Sequence, residues 1–106
     1  MKKLLMCLIA FAPIDAQARQ PSHDPDTVCR AWGSGAVVIM MMRQQGVALD
    51  AQLKINGSAP LMSREETIRA YEVPRFETEE AKQKAENDFR DEIELQCYKN
   101  KWYLKS

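Results

Sequence analysis

The chain reads as an all-α domain, a small bundle of about four helices with a disulfide joining the first and the last. Three observations predict this class. Ala81, Ala85, Phe89, Ile93 and Cys97 recur every four positions, the step of one helix face. Helix-start signatures stand at Asp24-Pro25, at Ser63 with Glu66, and at Thr78. No segment alternates apolar and polar residues for long enough to make a strand.

The first helix is expected over about residues 25–45, with Asp24 as cap and Pro25 at the first helical position. Cys29, Trp32, Ala36, Ile39 or Met40, and the stem of Arg43 form its inner face. Gly33 and Gly35 lower helix propensity by about 1 kcal/mol each, so a neighbouring element must approach closely there. Gly46 ends the helix as a left-handed cap, and Arg43 suits the negative end of its dipole.

Residues 47–55 hold a short second helix with Leu49, Leu53 and Ile55 inward, and residues 56–60 read as a loop. The third helix starts at the Ser63 capping box, turns Ile68 and Tyr71 inward, and stops before Pro74. Glu65 and Arg69 are spaced as an ion pair. Arg43, Tyr71 and Arg75 sit at helix ends and read as a polar network, Arg43 meeting Glu72 or the last helix and the Tyr71 hydroxyl a backbone carbonyl, with a recognition site as the lesser reading. Thr78 caps the last helix, with Glu80–Lys84 and Glu86–Arg90 as outer pairs.

The leading residues are read as an address. Lys2 and Lys3 precede nine apolar residues, Leu4 to Ala12, then Pro13 and the small residues Ala16 and Ala18. That order is a secretory signal peptide cleaved after Ala18. As a helix the run spans roughly 14 Å, about half a bilayer core, so it does not anchor the chain. Cys7 lies early in that run, the wrong place for a lipid-bearing cysteine. Residues 19–24 are a flexible lead-in, and residues 25–106 form a single helical domain.

Removing residues 1–18 from 106 leaves 88, and the loss of Lys2, Lys3 and Asp15 leaves 13 basic and 14 acidic residues. So balanced a charge argues against nucleic acid as a partner. A core of this size is marginal, so a staple is expected. Cys29 and Cys97 are the two cysteines left in an oxidising compartment, and their pairing closes a loop of about 69 residues worth about 4 kcal/mol. A metal site would need more ligands than the lone His23, and a redox pair would need a C-x-x-C spacing.

Arg43-Gln44-Gln45-Gly46, Ala70-Tyr71-Glu72-Val73-Pro74, Phe89 and Cys97 form a spaced set. It resembles a loose group of small exported all-helical proteins of proteobacteria and their phages. These share an early Cys, an RQ-x-G helix end, an AYE-x-P helix end and a late F-x7-C. The resemblance implies export, the helical fold and the disulfide, and it implies no activity. The basic, aromatic C-terminal end lies outside the shared pattern.

No nucleophile elbow, H-E-x-x-H pair or cofactor motif is present, so no catalytic, cofactor or metal residue is nominated. The carboxylates of the last helix read as a solvated face. Met40, Met41 and Met42 point about 100° apart and do not converge on one ion. An apolar face of the first helix remains as a surface for a protein partner, with Val38, Met41 and Met42 nominated. Trp102 is nominated with them, in a tail where Lys99, Lys101 and Lys105 surround Tyr98, Trp102 and Tyr103. Those bases complement the helix dipole, and weak contact with a membrane surface is the other reading. The expected function is a periplasmic or secreted, non-enzymatic module that binds another envelope or secreted protein. The alternative is a periplasmic acid or stress chaperone. Intact-mass analysis of the exported chain is expected to return residues 19–106 with both thiols oxidised.

Overall fold

A computed structural model describes residues 24–58 and 62–105, so the leader, the cleavage position at Ala18 and most of the lead-in lie outside the described residues. The described residues form four α-helices and a closing 3-10 turn. Helix α1 (Pro25–Gln44) is capped by Asp24, whose carboxylate accepts from the Thr27 amide at 2.9 Å. Those hydrogen bonds hold the Asp24 carboxyl below its usual range. Helix α2 (Leu49–Ser58) follows the Gly46 turn, and α3 (Arg64–Tyr71) starts at the Ser63 cap. Helix α4 (Glu79–Lys99) is capped by Thr78, and Trp102–Lys105 form the 3-10 turn.

Helices α1 and α4 pack along their lengths and run antiparallel. Cys29 near the start of α1 bonds Cys97 near the end of α4, with 5.5 Å between their Cα atoms. At the opposite end Lys82, early in α4, reaches the last residue of α1. The four-residue stripe forms as expected: Ala85, Phe89, Ile93 and Cys97 are buried, and Ala81 is half-buried. They meet Ala36, Ile39 and Met40 of α1, Ala70 of α3, and Met62 from the segment before it. Burial of each large aliphatic side chain here is worth about 1.5–3 kcal/mol.

Close approach at the glycines has a visible cause. A Cβ at Gly33 would fall inside the Glu94 carboxylate of α4, and Gly35 is also buried. The smaller helices depart from expectation in several ways. Helix α2 runs on through Asn56, Gly57 and Ser58, because Asn56 turns inward and donates to the Thr67 hydroxyl of α3. That contact also sets the helix's rotation, so Gln52 and Asn56 are buried while Leu49 and Leu53 are half-buried and Ile55 is 40% exposed. In α3 the inner residues are Thr67, Ala70 and Tyr71, spaced three and four apart, which turns Ile68 out to 40% exposure.

The ion pairs also redistribute. Arg69 pairs with Glu92 of α4 instead of Glu65, Lys84 pairs with Asp88, and Arg90 with Asp91. Such exposed partners are nearly interchangeable, since each pair is worth about 0–1 kcal/mol.

Gln52 stands out energetically. Its side chain is fully buried, and among the described residues neither its amide nitrogen nor its oxygen has a hydrogen-bond partner. Gln52→Leu is expected to stabilise the domain by about 1–3 kcal/mol in urea denaturation, because it removes two unpaired buried groups. Replacing Cys29 and Cys97 by Ser is expected to lower stability by about 4 kcal/mol in the same assay.

Candidate functional site

The RQ-x-G and AYE-x-P segments meet at the end of α1. Gly46 takes a positive φ of 93°, the left-handed conformation in which glycine carries no Cβ penalty. The chain then turns back: the Gly46 amide donates to the Arg43 carbonyl and the Val47 amide to that of Met42. This is a Schellman ending, and it leaves the Gln44 carbonyl without a helical partner. Two cations supply one. Arg75 Nε donates to that oxygen at 3.3 Å, and Lys82 Nζ donates to it at 3.1 Å.

Loop 72–78, between α3 and α4, contains Pro74 and makes no helix, so its backbone groups need partners from elsewhere. The Arg43-Gln44 pair provides them. Arg43 Nε donates to the Val73 carbonyl at 2.9 Å. Gln44 Nε2 donates to the Pro74 carbonyl at 2.9 Å, and Gln44 Oε1 accepts from the Phe76 amide at 2.8 Å. Arg43 also lies over the Tyr71 ring, 5.1 Å from its centroid, and is not held by Glu72. The Tyr71 hydroxyl donates to the Val47 carbonyl at 2.7 Å. Burial pushes that hydroxyl above the usual tyrosine range, with nearby Arg43 opposing the shift. The expected polar network of helix ends is present, and its side chains bond backbone groups instead of Glu72.

The fixed loop faces two surface depressions. Val73 and Phe76 join Ala81, Ala85 and Phe89 of α4 in an apolar groove of about 410 Å³, rimmed by Lys84, Asp88 and Glu92. Arg75 turns the other way, into a polar cleft of about 450 Å³ shared with Met41, Gln44, Gln45, Glu79, Lys82, Gln83 and Glu86.

Of the partner-binding residues nominated from sequence, Met41 lines the cleft and is 38% exposed. Val38 and Met42 are half-buried and line neither depression. Met40 is fully buried in the core, so the apolar run on α1 is largely packing surface. Trp102 is half-buried at the disulfide end, its ring centroid 4.7 Å from that of Trp32. Since Trp32 and Met42 are separated by about 15 Å of helix, the four residues do not gather at one place. The tail is tied down further by Tyr98, whose hydroxyl donates to Asp26 at 2.7 Å; that bond pushes the Tyr98 hydroxyl above its usual range.

Arg75 was expected in the polar network of helix ends and stands there, while Phe76 and Lys82 were missed as site residues. Their only signal in the sequence was a loop beside Pro74 holding an aromatic, followed by a lysine on the next helix. Among the described residues, no group of three His, Cys, Asp or Glu side chains is placed to hold a metal ion. Comparison with family models, curated proteins and solved structures returned no match.

Gln44→Met keeps the side-chain volume but leaves the Pro74 carbonyl and Phe76 amide unpaired. It is expected to cost about 2–3 kcal/mol in urea denaturation, with faster hydrogen exchange at the Phe76 amide.

Proposed function

We propose that the chain is an exported, non-enzymatic binding module that docks another envelope or secreted protein at the loop end of its helix pair. The observation that carries this reading is the groove of Val73, Phe76, Ala81, Ala85 and Phe89, an apolar depression whose loop wall is held in place by Arg43 and Gln44. A preformed wall lowers the entropy lost on binding, and five apolar side chains suit an aliphatic or aromatic anchor from a partner.

Export is supported by the Lys2-Lys3 leader pattern and by a buried disulfide, the kind of bond that persists outside the reducing cytosol. Among the described residues no helix is long and apolar enough to cross a membrane. The resemblance to small exported helical proteins points the same way. Its shared RQ-x-G and AYE-x-P segments are the ones that build the loop wall.

The test places a photo-crosslinking residue at Ala81 in cells that export the chain. A discrete adduct with one extracytoplasmic protein is expected. Ala81→Arg, which fills the groove from a half-buried helical position, is expected to weaken affinity for that protein about tenfold or more. Its urea midpoint should stay at the parent value. Equal affinity in the variant removes the groove from the reading.

A further inference from the structure

We infer that the cleft beside Met41 is a carboxylate-binding site, in which Arg75 and Lys82 hold a glutamate or aspartate side chain of the docked protein. The inference rests on the docking reading above and adds the chemistry of the partner's edge.

The argument starts from the shared acceptor. Arg75 Nε and Lys82 Nζ both bond the Gln44 carbonyl, at 3.3 and 3.1 Å, so these two donors lie within about 6 Å of each other. Like charges that close repel, and the negative end of the α1 dipole and the Glu79 and Glu86 carboxylates lining the same cleft oppose that repulsion. The bonds to Gln44 use one donor from each side chain. None of the hydrogen bonds or ion pairs found among the described residues uses the Arg75 Nη groups or the remaining Lys82 protons.

Gly46 fixes the guanidinium's attitude. Arg75 Cζ, Nη2 and Nη1 lie 3.1, 3.1 and 3.3 Å from where a Gly46 Cβ would stand. Nearly equal distances mean that the glycine meets the flat face of the group. Guanidinium N–H bonds lie in the plane, so the Nη donors are directed along the surface, where a carboxylate can take two of them. The glycine of RQ-x-G thus both allows the helix ending and leaves the space the guanidinium occupies.

The other lining residues select among anions. Glu79 and Glu86 stand on the same face of α4 as Lys82 and line the cleft without forming an ion pair to either cation. Their charges repel a doubly charged phosphate more strongly than a singly charged carboxylate. The Gln45 and Gln83 amides add neutral donors, and Met41 offers an apolar seat for the methylenes of a glutamate.

The experiment titrates the processed, disulfide-bonded chain, labelled with 15N, with three probes: acetyl-Ala-Glu-Ala-amide, its Gln counterpart, and inorganic phosphate. The Glu peptide is expected to produce saturable shifts at the Gly46 and Gln83 amides and at Arg75 Nε. The Gln peptide should produce none, and phosphate should require higher concentrations. Lys82→Gln and Arg75→Gln together should weaken the Glu peptide about tenfold or more, with the Ile93 and Cys97 amide signals unmoved. Arg75→Lys, which keeps the charge and loses the planar fork, should fall between.

Absent shifts with the Glu peptide, equal shifts with the Gln peptide, or phosphate binding as tightly would each overturn the assignment. So would undiminished peptide binding by the double variant. Because the titration needs no partner, its failure is distinguishable from loss of the Ala81 cross-link.

Discussion

The bond between Cys29 and Cys97 sets the register of α1 against α4, and that register decides what meets at the far end. From Cys29 to Gln44 is fifteen residues, and from Cys97 back to Lys82 is also fifteen. Two antiparallel helices joined at one end therefore bring Gln44 and Lys82 level at the other. A slip of one turn would move Lys82 about 5 Å along the helix, beyond reach of the Gln44 carbonyl. Covalent closure at one end and polar closure at the other hold together a core too small to be secure alone.

The polar end is built by a short division of labour. Gly46 turns the chain and leaves one carbonyl exposed, which Arg75 and Lys82 cover. Arg43 and Gln44 bond the backbone on either side of Pro74, where no helix can supply partners. Fixing that loop has a geometric by-product. Its side chains diverge, with Val73 and Phe76 on one side of the α4 start and Arg75 on the other. An apolar groove and a charged cleft thus lie on different faces of the α4 start.

The second helix behaves differently. Its inner face carries Gln52 and Asn56, and the Gln52 amide has no hydrogen-bond partner among the described residues. Few apolar contacts and an unpaired buried amide make α2 the weakest-held of the four helices. It contributes no residue to the lining of the groove or the cleft.

Much of this was legible in the residues themselves. The stripe ending at Cys97, the caps at Asp24, Ser63 and Thr78, and the left-handed turn at Gly46 are local patterns, and each formed where its chemistry requires. The disulfide followed from Cys29 and Cys97 being the two cysteines beyond the expected leader. What the residues could not disclose was helical rotation where apolar marks are sparse. Ile55 and Ile68 are outward because Asn56 meets Thr67, a contact between separate helices that no local period encodes. The same limit hid the site. Whether Met40 or Met41 faces solvent, and whether the alanines of α4 are covered along their whole length, depends on where α3 and the loop at Pro74 come to rest. Local sequence determines which elements form and where they end; only the packed molecule decides which of their faces stay uncovered, because burial is a property of neighbours brought from elsewhere in the chain.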